Sequence, residues 1–216
     1  MDETTWPLFG LRLRTPRLEL QMPTDDDLVG VVAAIDAGIV GDEPYPFVTT
    51  WALEPEPQRT WNALAFHWRC RAGVGADSFH LPFAVFHDGV AIGTQGIGAT
   101  DFRALRTVDT GSWIAKPWQG RGFAREMRAA VLTFAFDHLG ATVATSGARG
   151  TTERSIKVST SLGYRENGRQ PFRFGDDIAE DVRFRLDRAD WTELTDRPSV
   201  EVSGWDACAP MFAAAS

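Results

Sequence analysis

Gln119-Gly120-Arg121-Gly122-Phe123-Ala124 is the most informative segment of this chain, because it lies between a segment of strand composition, residues 107–115, and an amphipathic helical pattern. Glycine readily adopts positive φ and has no Cβ, so both glycines let the backbone curl closely around an anion. The first N–H groups of the following helix lack intrahelical partners, and the helix dipole is positive at that end. A strand, a glycine-rich turn and a helix in this order predict a pyrophosphate-binding site that needs no metal.

Positive charge is concentrated around this turn although the chain as a whole is acidic. The net charge is −7, yet residues 103–157 carry nine Lys and Arg against four Asp and Glu. This distribution suits a small polyanionic ligand, although a solvated basic helix face would give the same count. A nucleic-acid-binding protein would need a broad basic surface, so we expect no nucleic-acid partner.

Length and composition indicate one compact domain. We assign it to residues 1–191 of the 216, followed by an extension, residues 192–216, whose apolar side chains predict packing on the domain or on a partner. Neither a signal peptide nor a membrane span is evident, so we expect a cytoplasmic protein without a membrane partner. Cys70 and Cys208 should be free thiols, and the histidines lack metal-ligand spacing, so we expect no metal.

The first third of the chain contains a strand, a helix, a loop and a second helix. Alternation around Leu20 predicts the strand, and a capping box from Thr24 to Asp27 starts a helix that Gly38 ends. Residues 41–57 carry four prolines and should form an aromatic loop. An aromatic stripe at helical spacing, which includes Trp61, predicts a second helix with this stripe in the core.

Hairpin and strand patterns precede the glycine-rich turn. Asp88-Gly89 is typical of a type I′ turn and predicts a hairpin, so with residues 107–115 three antiparallel strands should precede the turn. The cluster Gly93-Thr94-Gln95-Gly96-Ile97-Gly98 resembles a dinucleotide motif, but no apolar helix follows it. We therefore interpret this cluster as a bulged strand.

Alternating helices and strands are predicted after the turn. One helix runs from Gly122 until Gly140 stops it, and a short strand follows at residues 143–145. A further helix reaches Leu162, Gly163-Tyr164 opens the next strand, and residues 181–187 form the last one.

Gln119, Gly122 and Ala124 match the motif Q/R-x-x-G-x-G/A, and through it the chain resembles the GCN5-related N-acetyltransferase (GNAT) family. The resemblance spans about Thr15 to Asp190. It implies an α+β fold with a central, mixed but mostly antiparallel twisted sheet, flanked by helices and splayed at an acyl-CoA site. The acyl donor would be acetyl-CoA or another acyl-CoA. The cofactor-binding positions implied are Trp113, Ile114 and Ala115 for the pantetheine arm, and the amides of Gln119, Gly120, Arg121, Gly122, Phe123 and Ala124 for the pyrophosphate.

The family's second motif is altered in this chain. Thr152 stands where the family usually has an Asn that contacts pantetheine, and Ser155 and Ser159 follow, whereas the usual Tyr acid is absent. This part resembles the ribosomal-protein N-terminal acetyltransferases, in which a serine at the Ser155 position would protonate the leaving thiolate. The opening Trp6-Pro7-Leu8-Phe9, the run 126–132 and the tail around Trp205 resemble an actinobacterial subgroup named as succinyl-CoA transferases.

The implied reaction is direct attack of an amine on the thioester, which requires a proton acceptor. Asp101 at a strand end and Asp109 on the strand before the turn are candidates. Tyr45, Phe47 and Trp51 would form an aromatic wall for the acceptor, a primary amine of a small molecule, peptide or protein. His67 lies beside the apolar stripe of its helix, so a structural role is expected for it.

Several alternatives stay open. The default donor is acetyl-CoA. Succinyl-CoA is the alternative, because its carboxylate would have to be paired with a cation when it is desolvated. The arginines that could pair with it are Arg103, Arg106, Arg149 and Arg154. Thr152 and the missing Tyr also fit a catalytically silent acyl-CoA sensor or scaffold. Both a monomer and a homodimer are compatible with the sequence.

Overall fold

The computed structural model describes residues 2–40, 47, 49–150, 152–174 and 176–213. Within these residues nine strands form one sheet, in the spatial order β7-β8-β6-β5-β4-β3-β2-β1-β9. In chain order they are Arg12–Arg14 (β1), Glu19–Gln21 (β2), Phe79–His87 (β3), Val90–Ala99 (β4), Thr107–Ile114 (β5), Val143–Arg149 (β6), Arg165–Phe174 (β7), Asp177–Asp187 (β8) and Glu201–Ser203 (β9). Only β5 and β6 run parallel, and every other neighbouring pair is antiparallel.

The sheet opens between its two parallel strands. The last pair that joins β5 to β6 is Thr110 opposite Ser146. Beyond it β5 continues to Ile114 along β4, whereas β6 continues to Arg149 along β8. The β6-facing backbone edge of β5 is therefore left without a strand partner in the described part of the chain. We call this opening the splay.

Seven α-helices are found in the described residues. They are Asp25–Asp36 (α1), Gln58–Ala72 (α2), Phe102–Leu105 (α3), Phe123–Thr133 (α4), Glu153–Ser161 (α5), Arg188–Glu193 (α6) and Trp205–Phe212 (α7). The predicted capping box is present at the start of α1, where Thr24 and Asp27 each bond the other's backbone N–H. A π-helical turn, Phe134–Leu139, extends α4 until Gly140 ends it with a φ of +74°.

The helices divide the sheet into two faces. Trp113 of β5 packs with the apolar residues of α1 and α2, so we call that side the α2 face. Ser112 of β5 bonds Arg128 of α4, which defines the opposite α4 face. Because side chains alternate along a strand, Asp109 shares the α2 face with Trp113, and Thr110 shares the α4 face with Ser112.

Most of the core lies on the α4 face. Fully buried side chains from the strands and from α4 fill it, and each contributes roughly 1.5–3 kcal/mol through removal from water. The largest of them are Phe83, Phe134, Phe136, Phe184 and Trp191. A smaller cluster lies under α1 and α2 and is made of Leu28, Val31, Ile35, Ile39, Ala63 and Ala84. This second cluster leaves room for a cavity beside it.

The structure confirms the α+β sheet, the hairpin at Asp88-Gly89 and the helix after Gly122. Two strands were not predicted, β1 and β9. Each has three residues. β2 is equally short, but its alternating pattern extends beyond the strand, from Leu18 to Met22. The strand predicted from residue 181 begins at Asp177, and the strand predicted at 143–145 continues to Arg149.

The predicted core stripe of α2 is wrong. Trp61 is 59% exposed and Trp68 is 49% exposed, whereas Ala63 and His67 are buried. Helical spacing shows which residues share a face, but it does not show which face meets the sheet. Here the small side chain of Ala63 lets the helix approach the sheet, and the bulky tryptophans face outward.

The glycine cluster at residues 93–98 lies inside β4, as predicted for a strand. A register shift between Val85 and Phe86 of β3 marks a bulge just before it. The glycines also clear space on the α2 face, because a Cβ at Gly96 or Gly98 would lie 2.9 or 2.8 Å from the His80 ring. The cluster therefore serves packing around a histidine.

The segment after α6 returns to the sheet. β9 pairs antiparallel with β1, and α7 follows it. The ring of Trp205 lies 5.2 Å from Phe134, and that of Phe212 lies 5.2 Å from Phe79. The described part of the extension, residues 192–213, thus contacts the core of the α4 face.

Candidate active site

The glycine-rich turn lies between the end of β5 and the start of α4. Gly120 and Gly122 have φ values of +76° and +83°, which residues with a Cβ atom rarely adopt. Gly122 is the N-cap of α4. The first amides of α4, from Phe123 and Ala124 onward, have no intrahelical acceptors. This geometry suits an anion in front of the helix.

Gln119 fastens the turn to its surroundings. Its side-chain Nε2 donates to the carbonyl oxygens of Ile39 and Ile114, each at 2.8 Å. Its own amide N–H donates to the carbonyl oxygen of Lys116 at 3.3 Å. Of the six predicted pyrophosphate amides, this one therefore already has a partner inside the turn.

An ion pair between the exposed Arg17 and the buried Glu126 holds the turn in place. Arg17 Nε donates to Oε2 of Glu126 at 2.7 Å, and Glu126 is only 5% exposed. Arg17 Nη1 also donates to the carbonyl oxygen of Arg121 at 3.0 Å, and its guanidinium lies 4.6 Å from the centre of the Phe123 ring. The sequence did not reveal this brace, because its partners are 109 residues apart.

The splay presents polar groups that suit the amides of a pantetheine arm. The end of β5, with Trp113 and Ile114, has no strand partner on its β6 side in the described part of the chain, although the Ile114 carbonyl oxygen accepts from Gln119 Nε2, and Ala115 follows directly. Thr152, the N-cap residue of α5, is buried, and its Oγ1 has no partner among the described residues. An unpaired buried hydroxyl costs about 1–3 kcal/mol, which a ligand amide at this position would recover. The residues present therefore fit coenzyme A.

A cavity of about 640 Å³ opens on the α2 face beside the splay. His80 of β3, Gly98 of β4 and Asp109 of β5 form one row across three strands of its floor. Phe66 and Cys70 of α2 cover one side. Asp109 directly precedes the last residue of β5 that pairs with β6, so the row ends where the splay begins.

His80 and Asp109 influence one another across the glycine. Burial lowers the pKa of His80 despite the opposing charge of Asp109, so the ring is neutral at pH 7. Burial raises the pKa of Asp109, while a 2.8 Å hydrogen bond from Thr145 and the charge of Arg183 oppose the rise. The Asp109 side chain is 56% exposed because it faces the open cavity, so water reaches its carboxyl group. The site therefore offers two proton acceptors.

The two predicted catalytic residues occupy different places. Asp101 is exposed in the turn after β4, with a φ of +52°, next to Thr100 at the rim of the cavity. Ser155 is half-buried in the first turn of α5 and shares a helix face with Ser159, which reaches Arg128 beside the splay. The structure thus brings Ser155 to the α4 face and the second candidate base, Asp109, to the cavity.

Two of the three predicted acceptor-wall residues lie in one aromatic row. The rings of Phe47 and Trp51 are 5.7 Å apart, and Trp51 lies 6.1 Å from Trp113. Tyr45 lies outside the described residues. The row is at the end of β5 nearest the glycine-rich turn, whereas the cavity is at the other end of the strand.

The arginines expected near the thioester are dispersed. Arg103 and Arg106 lie between β4 and β5, at the end of the sheet away from the glycine-rich turn. Arg149 lies 4.2 Å from the centre of the Phe174 ring, and Arg154 is exposed on α5. His80, Arg128 and Arg183 were not predicted as site residues, because strand register places His80 and Arg183 near Asp109, and packing of α4 places Arg128 beside the splay.

Comparison with known proteins agrees with this arrangement. The acetyltransferase (GNAT) domain family matches residues 17–165. A structure of Mycobacterium smegmatis RimJ in complex with CoA-disulfide is 21% identical and superposes with a TM-score of 0.69 over 95% of each chain. A GCN5-related N-acetyltransferase from Brucella melitensis is 16% identical, with a TM-score of 0.65 over 84% of this chain and 80% of that one. A Vibrio cholerae spermidine N-acetyltransferase SpeG chimera is 14% identical, with a TM-score of 0.63 over 86% and 99%.

The chain belongs to the GNAT acetyltransferase family. It is an acyl-CoA-dependent N-acyltransferase with a GNAT fold. Among the described residues, no group of three or more His, Cys, Asp and Glu side chains could hold a metal ion. The described helices include none that is both long and apolar enough to cross a membrane.

Proposed function

We propose that the chain transfers an acetyl group from acetyl-CoA to a primary amine that enters the cavity of His80 and Asp109. The observation that carries this proposal is the position of the cavity. It lies on the α2 face directly beside the splay, while the glycine-rich turn precedes α4 on the other face. A donor held at the turn with its thioester in the splay would meet an amine that approaches from the cavity.

In the proposed reaction the amine nitrogen attacks the thioester carbonyl directly. The C–N bond forms, the C–S bond breaks, and the electron pair leaves with the sulfur. A backbone N–H near Ile114 stabilises the oxyanion, and no covalent enzyme intermediate is required. Ser155 then protonates the thiolate or positions the pantetheine arm.

Asp109 is the proposed proton acceptor. An amine in solution is mostly protonated at neutral pH, so it must lose a proton before it attacks. Asp109 faces the cavity, and its carboxylate accepts hydrogen bonds from Thr145 Oγ1 at 2.8 Å and Arg183 Nη2 at 3.4 Å. His80 lies two strands away, at roughly 10 Å between Cα atoms, and serves as a second acceptor for the proton.

The acceptor is proposed to be a primary amine on a small molecule, a peptide or a protein. The carboxylate of Asp109 attracts its ammonium form to the cavity. The aromatic row of Phe47 and Trp51, together with Tyr45, two residues before Phe47 in the sequence, is proposed to contact the body of the acceptor near the glycine-rich turn.

Acetyl-CoA is the proposed donor, and succinyl-CoA is the alternative that the subgroup resemblance suggests. A succinyl carboxylate must be paired when it is desolvated. Arg103 and Arg106 lie in the segment between β4 and β5 that borders the cavity, and the guanidinium of Arg149 stacks on Phe174. An acetyl group carries no charge and needs no arginine partner, so it is the simpler assignment.

The test is a competition between acetyl-CoA and succinyl-CoA at equal concentration, with a panel of amines and products weighed by mass spectrometry. We expect thiol release with acetylated products. Exclusive succinylation would overturn the donor assignment. Binding of both donors without thiol release with any amine would instead favour a catalytically silent acyl-CoA sensor.

A further inference from the structure

Arg128 of α4 is a buried cation without a carboxylate in ion-pair distance among the described residues. It is 4% exposed, and its guanidinium donates to the hydroxyls of Ser146 at 3.1 Å, Ser159 at 3.0 Å and Ser112 at 3.3 Å. Desolvation of an ion costs several kcal/mol, and neutral hydroxyls recover only part of it. An unpaired buried charge beside a reaction site is a candidate for stabilising an anion that forms there.

The three hydroxyls border the splay from three elements. Ser146 is the last residue of β6 that pairs with β5, and Ser112 lies two residues beyond the last pair on β5. Ser159 belongs to α5. The guanidinium of Arg128 therefore spans the splay on the α4 face, at the point where the two strands part.

The hydroxyl protons differ in availability. Ser146 donates its proton to the carbonyl oxygen of Thr110 at 3.2 Å, and Ser159 donates to the carbonyl oxygen of Ser155 at 3.3 Å. The Ser112 hydroxyl accepts from Arg128 but has no acceptor of its own in the described part of the chain. Ser112 is half-buried at the free end of β5. Its proton is therefore the one of the three that a group in the splay can receive.

We propose that Ser112, polarised by Arg128, donates a hydrogen bond to the sulfur of coenzyme A as the thiolate leaves. The inference rests on the proposed function, because it needs the thioester in the splay. Ser112 contacts the leaving group, and Arg128 is a positioning residue that acts through it. A hydroxyl that accepts from a cation is a stronger donor, because the two hydrogen bonds polarise one another.

The step is balanced without proton transfer from Ser112. As the C–S bond breaks, its electron pair and the negative charge move to sulfur, and the hydrogen bond from Ser112 stabilises that charge. The amine proton goes to Asp109 on the other face of the sheet. The thiolate receives its proton afterwards, from Ser155 or from water.

The test measures the pKa of the coenzyme A thiol while it is bound, from the ultraviolet absorbance of the thiolate across a pH series. In the wild-type protein we expect the pKa of the bound thiol to fall about one unit or more below that of free coenzyme A. Ser112→Ala and Arg128→Met should each remove most of this shift. The control Ser161→Ala, which alters an exposed serine of α5, should keep it.

Binding and turnover separate the possible outcomes. Affinity for desulfo-coenzyme A should be equal in the wild type and in Ser112→Ala, while Ser112→Ala lowers kcat about tenfold with little change in donor KM. Ser112→Ala removes one oxygen from a half-buried residue, so it tests the proposal even if Arg128→Met does not fold.

Absence of any coenzyme A binding would contradict the proposed function itself. Binding with an unshifted thiol pKa in the wild type would overturn this inference alone. A selective loss of succinyl-CoA turnover in Arg128→Met would also overturn it, because Arg128 would then pair with an acyl carboxylate.

Discussion

The two faces of β5 carry opposite chemistry. On the α2 face, Asp109 and the neutral His80 border an open cavity and are the proposed proton acceptors. On the α4 face, the buried Arg128 donates a hydrogen bond to Ser112 beside the splay. Side chains alternate along a strand, so residues only three positions apart supply both kinds of group.

This difference explains how one strand can contribute both to proton removal from the amine and to stabilisation of the leaving thiolate. Asp109 pairs with Arg183 at 3.4 Å and faces away from Arg128. Burial raises the pKa of Asp109, and the charge of Arg128 nevertheless opposes this rise through the sheet. Because Asp109 and Arg128 do not touch, the guanidinium of Arg128 keeps its hydrogen bonds to the hydroxyls beside the splay.

Loss of the proton acceptor should give the largest effect. Asp109→Asn keeps the shape of the side chain but cannot accept a proton, so we expect kcat to fall about 100-fold. The rise of kcat/KM with pH on the acid side, which reflects deprotonation of the acceptor, should also disappear. Asp101→Asn should lower kcat less than about threefold. If Asp101→Asn gives the larger loss, the acceptor lies at the rim of the cavity and the comparison of the two faces is wrong.

The α2 face should also make stability depend on pH through His67. Burial lowers the pKa of this residue from 6.5 to about 4, so the unfolded chain binds its proton more readily than the folded one. The stabilisation is present above pH 6.5 and is lost as the pH falls towards 4. Between pH 7.5 and 4.5 the contribution amounts to roughly 2–3 kcal/mol. His67→Leu should remove this part of the dependence in urea unfolding. An unchanged pH dependence in the variant would show that His67 is not the source.

Distortion of the glycine-rich turn should weaken the binding of coenzyme A, whose pyrophosphate is proposed to lie in front of α4. Gly122→Val places a branched side chain where φ is +83°, and coenzyme A binding should weaken by more than about tenfold, or 1.4 kcal/mol. Gly168→Val is the matched control, because Gly168 has a φ of +103° and open space around its Cβ position, but it lies on β7. Calorimetry should show weaker binding for the first variant only. Equal affinities would contradict the placement of the pyrophosphate.

The smallest effect is expected for Ser155. If its hydroxyl protonates the thiolate or positions pantetheine, Ser155→Ala should lower kcat by less than about tenfold, with folding stability little changed. Steady-state kinetics and thermal unfolding measure the two quantities. Wild-type kinetics would return Ser155 to a role on the surface of α5, and Ser112 would then be the sole hydroxyl proposed at the sulfur.

Local sequence patterns predicted several helices and strands correctly. The capping box at Thr24, the Asp88-Gly89 hairpin and the amphipathic helix after Gly122 are local features, and their chemistry is contained in a few neighbouring residues. β1 and β9 were not predicted, and unlike β2 they became apparent only through their pairing with each other. The aromatic stripe of α2 was assigned to the wrong side, because spacing alone does not orient a helix on a sheet.

The candidate site was predicted in part. The glycine-rich turn and Ser155 follow from motifs, and Asp109 was one of two candidate bases. His80 became part of the site only through register, since Gly98 pairs with both His80 and Asp109. Nothing local marked Arg128, because its three hydroxyl partners come from β5, β6 and α5.

The sequence by itself determined the class of fold and the position of the anion-binding turn. Three properties belong to short segments: the positive φ of glycines, the unpaired N–H groups at a helix start, and the spacing of apolar residues. They can be inferred without knowing which distant segments pack against them. Which polar groups lie close together across the splay, and on which face of the sheet each group lies, depends on the tertiary structure. Strand register and helix orientation depend on packing between distant segments, and these two quantities place Asp109 beside a cavity and Arg128 inside the protein.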